Sequence, residues 1–231
     1  MAPTISEVPI LYEDNHVLVA VKPPNMPTQE DDSGDLDLLS WLKEDLKRRY
    51  HKPGNVFLGL VHRLDRPVGG VMVFARTSKA ASRLSDQVRT RTMKKTYRAV
   101  VRGNPGTGGR LRHFLAKEAG TNTVRVVKAD QPGGKEAILD YRLLGHSDGL
   151  SLVEIELLTG RPHQIRVQSA SIGCPLFGDQ RYGADVNRPG EQIALWAVRL
   201  AFEHPTLKEV MAFCSVPPAD HPWTLWKELR A

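Results

Sequence analysis

The chain has 231 residues, 41% of them hydrophobic, with 32 Lys and Arg against 26 Asp and Glu, giving a formal charge of +6 and a pI near 9.4. That length buries a substantial core and fits one domain over residues 1–231, and the basic balance points to a polyanionic partner, nucleic acid first. Cys174 and Cys214 are too few for a disulfide framework, the opening MAPTISEVPILYEDN has no secretory leader pattern, and no apolar run reaches membrane-spanning length, so a cytoplasmic protein with no membrane contact is expected.

In chain order, Ile10–Tyr12 and His16–Val21 read as two short strands about a turn at Asp14-Asn15, the second stopped by Lys22-Pro23-Pro24. Between Asp35 and Tyr50, Leu38, Leu39, Trp41, Leu42, Leu46 and Tyr50 recur at helical spacing, with acids early and Lys47, Arg48 and Arg49 in the last turn. The stretch VHRLDRPVGGVMVFAR (61–76) is the centre of the chain. It sets one acid, Asp65, between Arg63 and Arg66 in a turn bent by Pro67 and Gly69-Gly70, and then enters a β-branched run, Val71–Ala75, fit for a buried strand. Thr77 or Ser78 caps a second helix, with Ala81, Leu84 and Val88 inward and Arg83, Arg89 and Arg91 outward.

The segment Lys94–Gly103 alternates as a strand, with Tyr97, Ala99 and Val101 on its inner face. Short antiparallel strands are expected around 112–115, 124–127 and 137–144, followed by a clear strand at Leu150–Leu158. Gly160-Arg161-Pro162 then turns into a helix from His163 to Ile172, with Ile165, Gln168 and Ile172 on one face. Strands at Ile193–Phe202 and Val210–Cys214 and a terminal helix carrying Trp223, Trp226 and Leu229 complete an α+β unit.

No phosphate-binding P-loop, zinc-ligand spacing or Gly-x-Ser-x-Gly elbow occurs, and the eight histidines are scattered, so neither a metal nor a cofactor is expected. The available chemistry is that of carboxylate, phenol and guanidinium. The cations Arg83, Arg89, Arg91, Lys94, Lys95, Arg98 and Arg102 cluster along the chain near Asp65 and Tyr97, as a phosphate-tracking rim requires.

Three separated segments carry a resemblance: HRLDRPVGGVMVFAR (62–76), KKTYRAVVRG (94–103) and LLTGRPHQIRVQSASIGCPLFGDQRYG (157–183). Together they resemble the RluA-type RNA pseudouridine synthases, in the family's order and over nearly the whole chain. The resemblance implies a mixed, largely antiparallel sheet with flanking helices and a central active-site cleft, a monomer acting on ribosomal or transfer RNA, and no metal or cofactor. It further implies Asp65 as the catalytic carboxylate, Tyr97 as the strand tyrosine beside the base, and Arg166 as the counter-charge to Asp65. Arg63 would brace the site vacated by the extruded uridine, Leu195 would close the base pocket, and His62, Lys94, Lys95 and Arg161 would contact RNA. Asp65 would either trap C1′ of the ribose or remove a sugar proton to give a glycal; both routes remain open.

Two features depart from the family pattern. Val68-Gly69-Gly70 stands where Thr-Ser-Gly is usual, and no S4-like RNA-binding module is expected ahead of the first strands. The rival reading is a catalytically silent RNA-binding or RNA-folding protein that keeps the same cleft.

Overall fold

The computed structural model describes residues 8–229, which form two compact units. The first comprises the described residues up to Met93 together with Arg199–Ser215; the second comprises Lys94–Val198 and the described residues from Val216 onward.

In the first unit, β1 (Ile10–Glu13) and β2 (Val17–Lys22) form an antiparallel hairpin. The Asp14 carboxylate makes the turn by accepting the amides of His16 and Val17, each at 2.7 Å. β2 pairs antiparallel with β4 (Gly69–Ala75), as does the two-residue β3 (Gly59–Leu60). All seven residues of β4 are buried, in keeping with its lack of any polar side chain. Gly70, the second residue of the Gly69-Gly70 pair, has φ 125°, a conformation that disfavours an L side chain.

The helix α1 (Leu38–Arg49) begins where Asp37 accepts the Ser40 amide at 3.0 Å. The acids expected early in this helix stand outside it: Asp37 is the cap, Asp35 precedes it, and the first turn has none. Helix α2 (Ser78–Arg89) is capped by Thr77 and lays Ala80 and Leu84 on Val17, Val19, Val71 and Val73. Leu200 and Phe202 of β10 (Leu195–Glu203) complete this core, and Phe213 of β11 (Val210–Cys214), which pairs antiparallel with β10, packs against it.

The second unit is built on an antiparallel run in the order β5 (Lys94–Arg102), β9 (Leu150–Leu157), β8 (Lys135–Ser147), β6 (Gly108–Lys117) and β7 (Val124–Val127). Alternation works as expected. Tyr97, Ala99 and Val101 are buried, whereas Arg98 and Arg142 reach Glu154, Arg110 reaches Asp140, and Arg112 reaches Glu136 on the polar side. Helix α3 (Gln164–Ser171) lies against β6 and β7, and its Val167 joins Leu115, Val124 and Ala137 in a core. Ile172, expected to share a helix face with Ile165 and Gln168, is the C-cap of α3 and is 37% exposed.

The terminal segment Trp223–Leu229 is a 3-10 turn rather than the expected regular helix, with Trp226 at φ −129°. It sits so close to β8 that a Cβ added at Gly145 would lie 2.5 Å from the Trp226 Nε1. The resulting class is α+β, with largely antiparallel sheet.

Candidate active site

Asp65 lies half-buried in the turn that leads to β4, and the backbone around it is fixed at three successive carbonyls. The Leu64 carbonyl accepts the Thr28 hydroxyl at 2.8 Å, the Asp65 carbonyl accepts the Val68 amide at 3.0 Å, and the Arg66 carbonyl accepts the Lys22 ammonium at 3.0 Å. The Thr28 oxygen also faces the Leu64 amide at 3.3 Å. This bracing ties the backbone that carries Asp65 to Thr28, Val68 and Lys22.

Lys22, the last residue of β2, is fully buried, and its ammonium also donates to the carbonyls of Pro23 at 2.9 Å and Met26 at 2.6 Å. Burial pushes its pKa down to about 7; the negative charge of Asp65 draws it back up and the charge of Arg66 opposes that. The folded value therefore lies below that of the unfolded chain, about 10.4, so the unfolded chain binds the extra proton between the two values. Stability from this group is complete above the unfolded value and is lost as pH falls through about 7. We expect the stability of the parent relative to Lys22→Met to rise by roughly 1.4 kcal/mol per pH unit from about pH 7 toward pH 10. Urea titrations across that range test this, and parallel profiles for the two proteins would contradict it.

The other residues of the turn have separate tasks. His62 Nε2 accepts the Val73 amide at 3.1 Å, which ties the HRLD segment to β4. Arg63 is exposed. Arg66, which follows Asp65 in the chain, directs its guanidinium to Asp35, with Asp31 at 3.9 Å.

In the second unit, Tyr97 is 6% exposed at the point where β5 pairs with Ile155 of β9. Lys94 is exposed, while Lys95 is half-buried near Gly160 and burial lowers its pKa. Arg161 spends its Nε on the Glu136 carbonyl at 2.8 Å, and Leu195 is buried at the start of β10. The chain enters α3 through His163, which adopts a left-handed conformation. Gln164 fixes that entry by accepting the Thr159 hydroxyl and the Arg161 amide and donating to the Ile138 carbonyl.

Arg166 projects from α3 into a two-point bond with Asp179, Nε to Oδ2 and one Nη to Oδ1, both at 2.8 Å. Asp179 is fully buried, and it also accepts the amides of Arg181 and Tyr182. The guanidinium and these amides hold its pKa below the usual carboxylate value, against the opposing effect of burial. The Tyr182 ring lies 5.2 Å from the Arg166 guanidinium carbon; its hydroxyl accepts the Val124 amide at 2.9 Å and lies 2.8 Å from His163 Nδ1.

Asp179 and Tyr182 belong to the FGDQRYG part of the third matched segment, and the resemblance implies no role for either. The signal is an acid directly after Gly178, with a tyrosine three residues on, inside a matched motif. For Lys22, the signal was a lysine ending an otherwise apolar strand.

The RNA pseudouridylate synthase family matches this chain over residues 16–171. The chain belongs to that family. It is 35% identical over 222 residues to the RNA pseudouridine synthase YhcT of Bacillus subtilis, covering 94% of this chain and 71% of the relative. It is 34% identical over 230 residues to ribosomal large subunit pseudouridine synthase D of Haemophilus influenzae, covering 91% and 68%. The solved human RNA pseudouridylate synthase domain containing 4 superposes with a TM-score of 0.74 at 25% identity, covering 90% of this chain and 88% of that one. The pseudouridine synthase fold and membership of the RluA type follow, and with them the reaction class: isomerisation of uridine in RNA. No helix among the described residues is long and apolar enough to cross a membrane.

The basic rim is thinner than its sequence suggests. Arg83 bonds the Pro205 carbonyl, Arg89 pairs with Asp86, Arg98 with Glu154, and Arg102 with Asn187 and Glu191. Arg91 and Lys94 remain exposed.

Proposed function

We propose that this chain converts a uridine of large-subunit ribosomal RNA to pseudouridine, with Asp65 as the catalytic carboxylate. The bracing of the carbonyls of Leu64, Asp65 and Arg66 supports this reading best, because a surface ion pair needs no such support. The naming of relatives as ribosomal large subunit enzymes supports the substrate.

The reaction is an isomerisation in which the N1–C1′ bond breaks, the base rotates, and C5 joins C1′. The C5 proton leaves and N1 gains one, so atoms balance with no oxidant or reductant. A carboxylate serves this by bonding C1′ or by taking a sugar proton. In this reading Arg166 supplies counter-charge and Tyr97 lies beside the uracil. Arg63, being exposed, braces the strand after the base is extruded, an event costing a few kcal/mol.

Pseudouridine mapping of total RNA from cells with and without the gene tests the proposal. Loss of a ribosomal pseudouridine, restored by the parent gene and not by Asp65→Asn, is the expected result. Loss confined to transfer RNA would move the substrate, and an unchanged map would favour the silent RNA-binding reading.

Binding should also weaken with salt, but modestly, because most rim cations are internally engaged. Neutralising Arg91 or Lys94 should each reduce the slope of log K against log salt by about 0.7 on single-stranded RNA, whereas neutralising Arg102 should leave it unchanged. Equal effects of all three would contradict the assignment.

A further inference from the structure

Arg166 has five N–H groups in one plane, and the bond to Asp179 uses the Nε and one Nη. Fixing one edge of a planar fork fixes the direction of the opposite edge, and the Tyr182 ring against its face restricts rotation out of that plane. The carboxylate is itself held from several sides. It is fully buried, holds two backbone amides, and follows Gly178, where φ is 76° and any Cβ would run into the Gln192 main chain. Asn187 closes the same loop by donating to the carbonyls of Leu176 and Asp179 and accepting the Gly178 amide.

We propose that Asp179 is a positioning residue for the isomerisation, acting through Arg166 by setting the direction of its guanidinium. The inference rests on the reading that Arg166 serves the chemical step. Stability alone is a weak reason for such a pair, since buried ion pairs are often no more stabilising than well-packed apolar residues of the same volume. Placement is the better reason. A fork whose reach is set on one edge presents its remaining N–H groups in one orientation, and catalysis is sensitive to displacement on the ångström scale.

Asp179→Asn and Asp179→Glu separate positioning from folding. The first sets an amide N–H₂ against one guanidinium N–H, and the second keeps the charge while displacing the fork by about one methylene. Single-turnover rates and RNA affinities are to be measured at a temperature where circular dichroism shows each variant folded. Both variants should lose roughly 10²-fold in rate while the RNA Kd stays within about threefold. In an Arg166→Lys background, already slow, Asp179→Asn should change the rate by less than about threefold, since both residues act at one point.

Parental rates in folded Asp179→Glu would overturn the inference. So would a loss from Asp179→Asn that is undiminished in the Arg166→Lys background, or that appears in Kd rather than rate. If Arg166→Lys itself turns over at the parental rate, the reading of Arg166 fails and takes this inference with it. If Arg166→Lys is slow while the Asp179 variants are not, only the inference falls.

Discussion

Asp65→Asn protein is expected to fold, to bind RNA about as tightly as the parent, and to make pseudouridine at least roughly 10³-fold more slowly, a loss of about 4 kcal/mol in transition-state stabilisation. The substitution keeps size and shape while removing the charge and the reactive oxygen. The turn should survive, because Thr28, Lys22 and Val68 hold backbone carbonyls rather than the carboxylate. Binding should survive because cationic and stacking groups supply most of the RNA affinity. One secondary change follows from the loss of charge: the Lys22 ammonium loses a favourable neighbour, so its pKa should fall further below about 7. Gel-shift affinity and pseudouridine yield measured on the same preparation check the prediction; near-parental yield from folded protein would remove Asp65 from the mechanism.

Arg166→Met is expected to lose both activity and stability, the latter by about 3–5 kcal/mol, because it leaves a buried carboxylate without its cation. Asp179 is fully buried and would retain only the amides of Arg181 and Tyr182. Its pKa is lowered in the fold, so the contribution of the pair is complete above the unfolded carboxylate value, about 3.9, and is lost as pH falls through the lower folded value. At neutral pH the full effect should therefore be seen. Adding Asp179→Asn to Arg166→Met removes the uncompensated charge and should recover part of the stability without recovering turnover. Denaturation midpoints for the parent and the two variants check this, and an Arg166→Met midpoint equal to the parent's would show that Asp179 tolerates isolation. The resemblance implies Arg166 as a counter-charge to Asp65; the structure adds that the same guanidinium neutralises a buried acid.

Local patterns made much of the fold legible. The apolar run Val71–Ala75 became β4, the helical spacing from Leu38 became α1 and Thr77 capped α2, because in each case local preference and burial agree. The terminal helix failed because Trp226 is held against Gly145, a tertiary contact that helical spacing does not encode. The rim was overestimated for a related reason. Composition counts cations, but the cross-strand register places Glu154 beside Arg98, and chain folding brings Glu191 to Arg102. Lys22 and Asp179 are not legible in the sequence, since a charge reads as surface until its partners, distant in sequence or within a loop, are known.

The first unit is discontinuous, and this bears on its assembly during synthesis. Val17, Val19, Val71 and Val73 are in place within the first third of the chain, but the core they share with Leu200 and Phe202 is completed only by residues beyond Arg199, with Phe213 packed against it. A nascent chain that has passed Met93 must hold this apolar surface uncovered while more than a hundred further residues are made. At about 5–20 residues per second that wait is on the order of 5–20 seconds, long compared with hairpin formation. The β1–β2 hairpin and β4 are then a template waiting for a late strand, so the slow step of folding should be the closure of that long loop, and premature termination before residue 199 should yield an aggregation-prone fragment rather than a smaller stable domain.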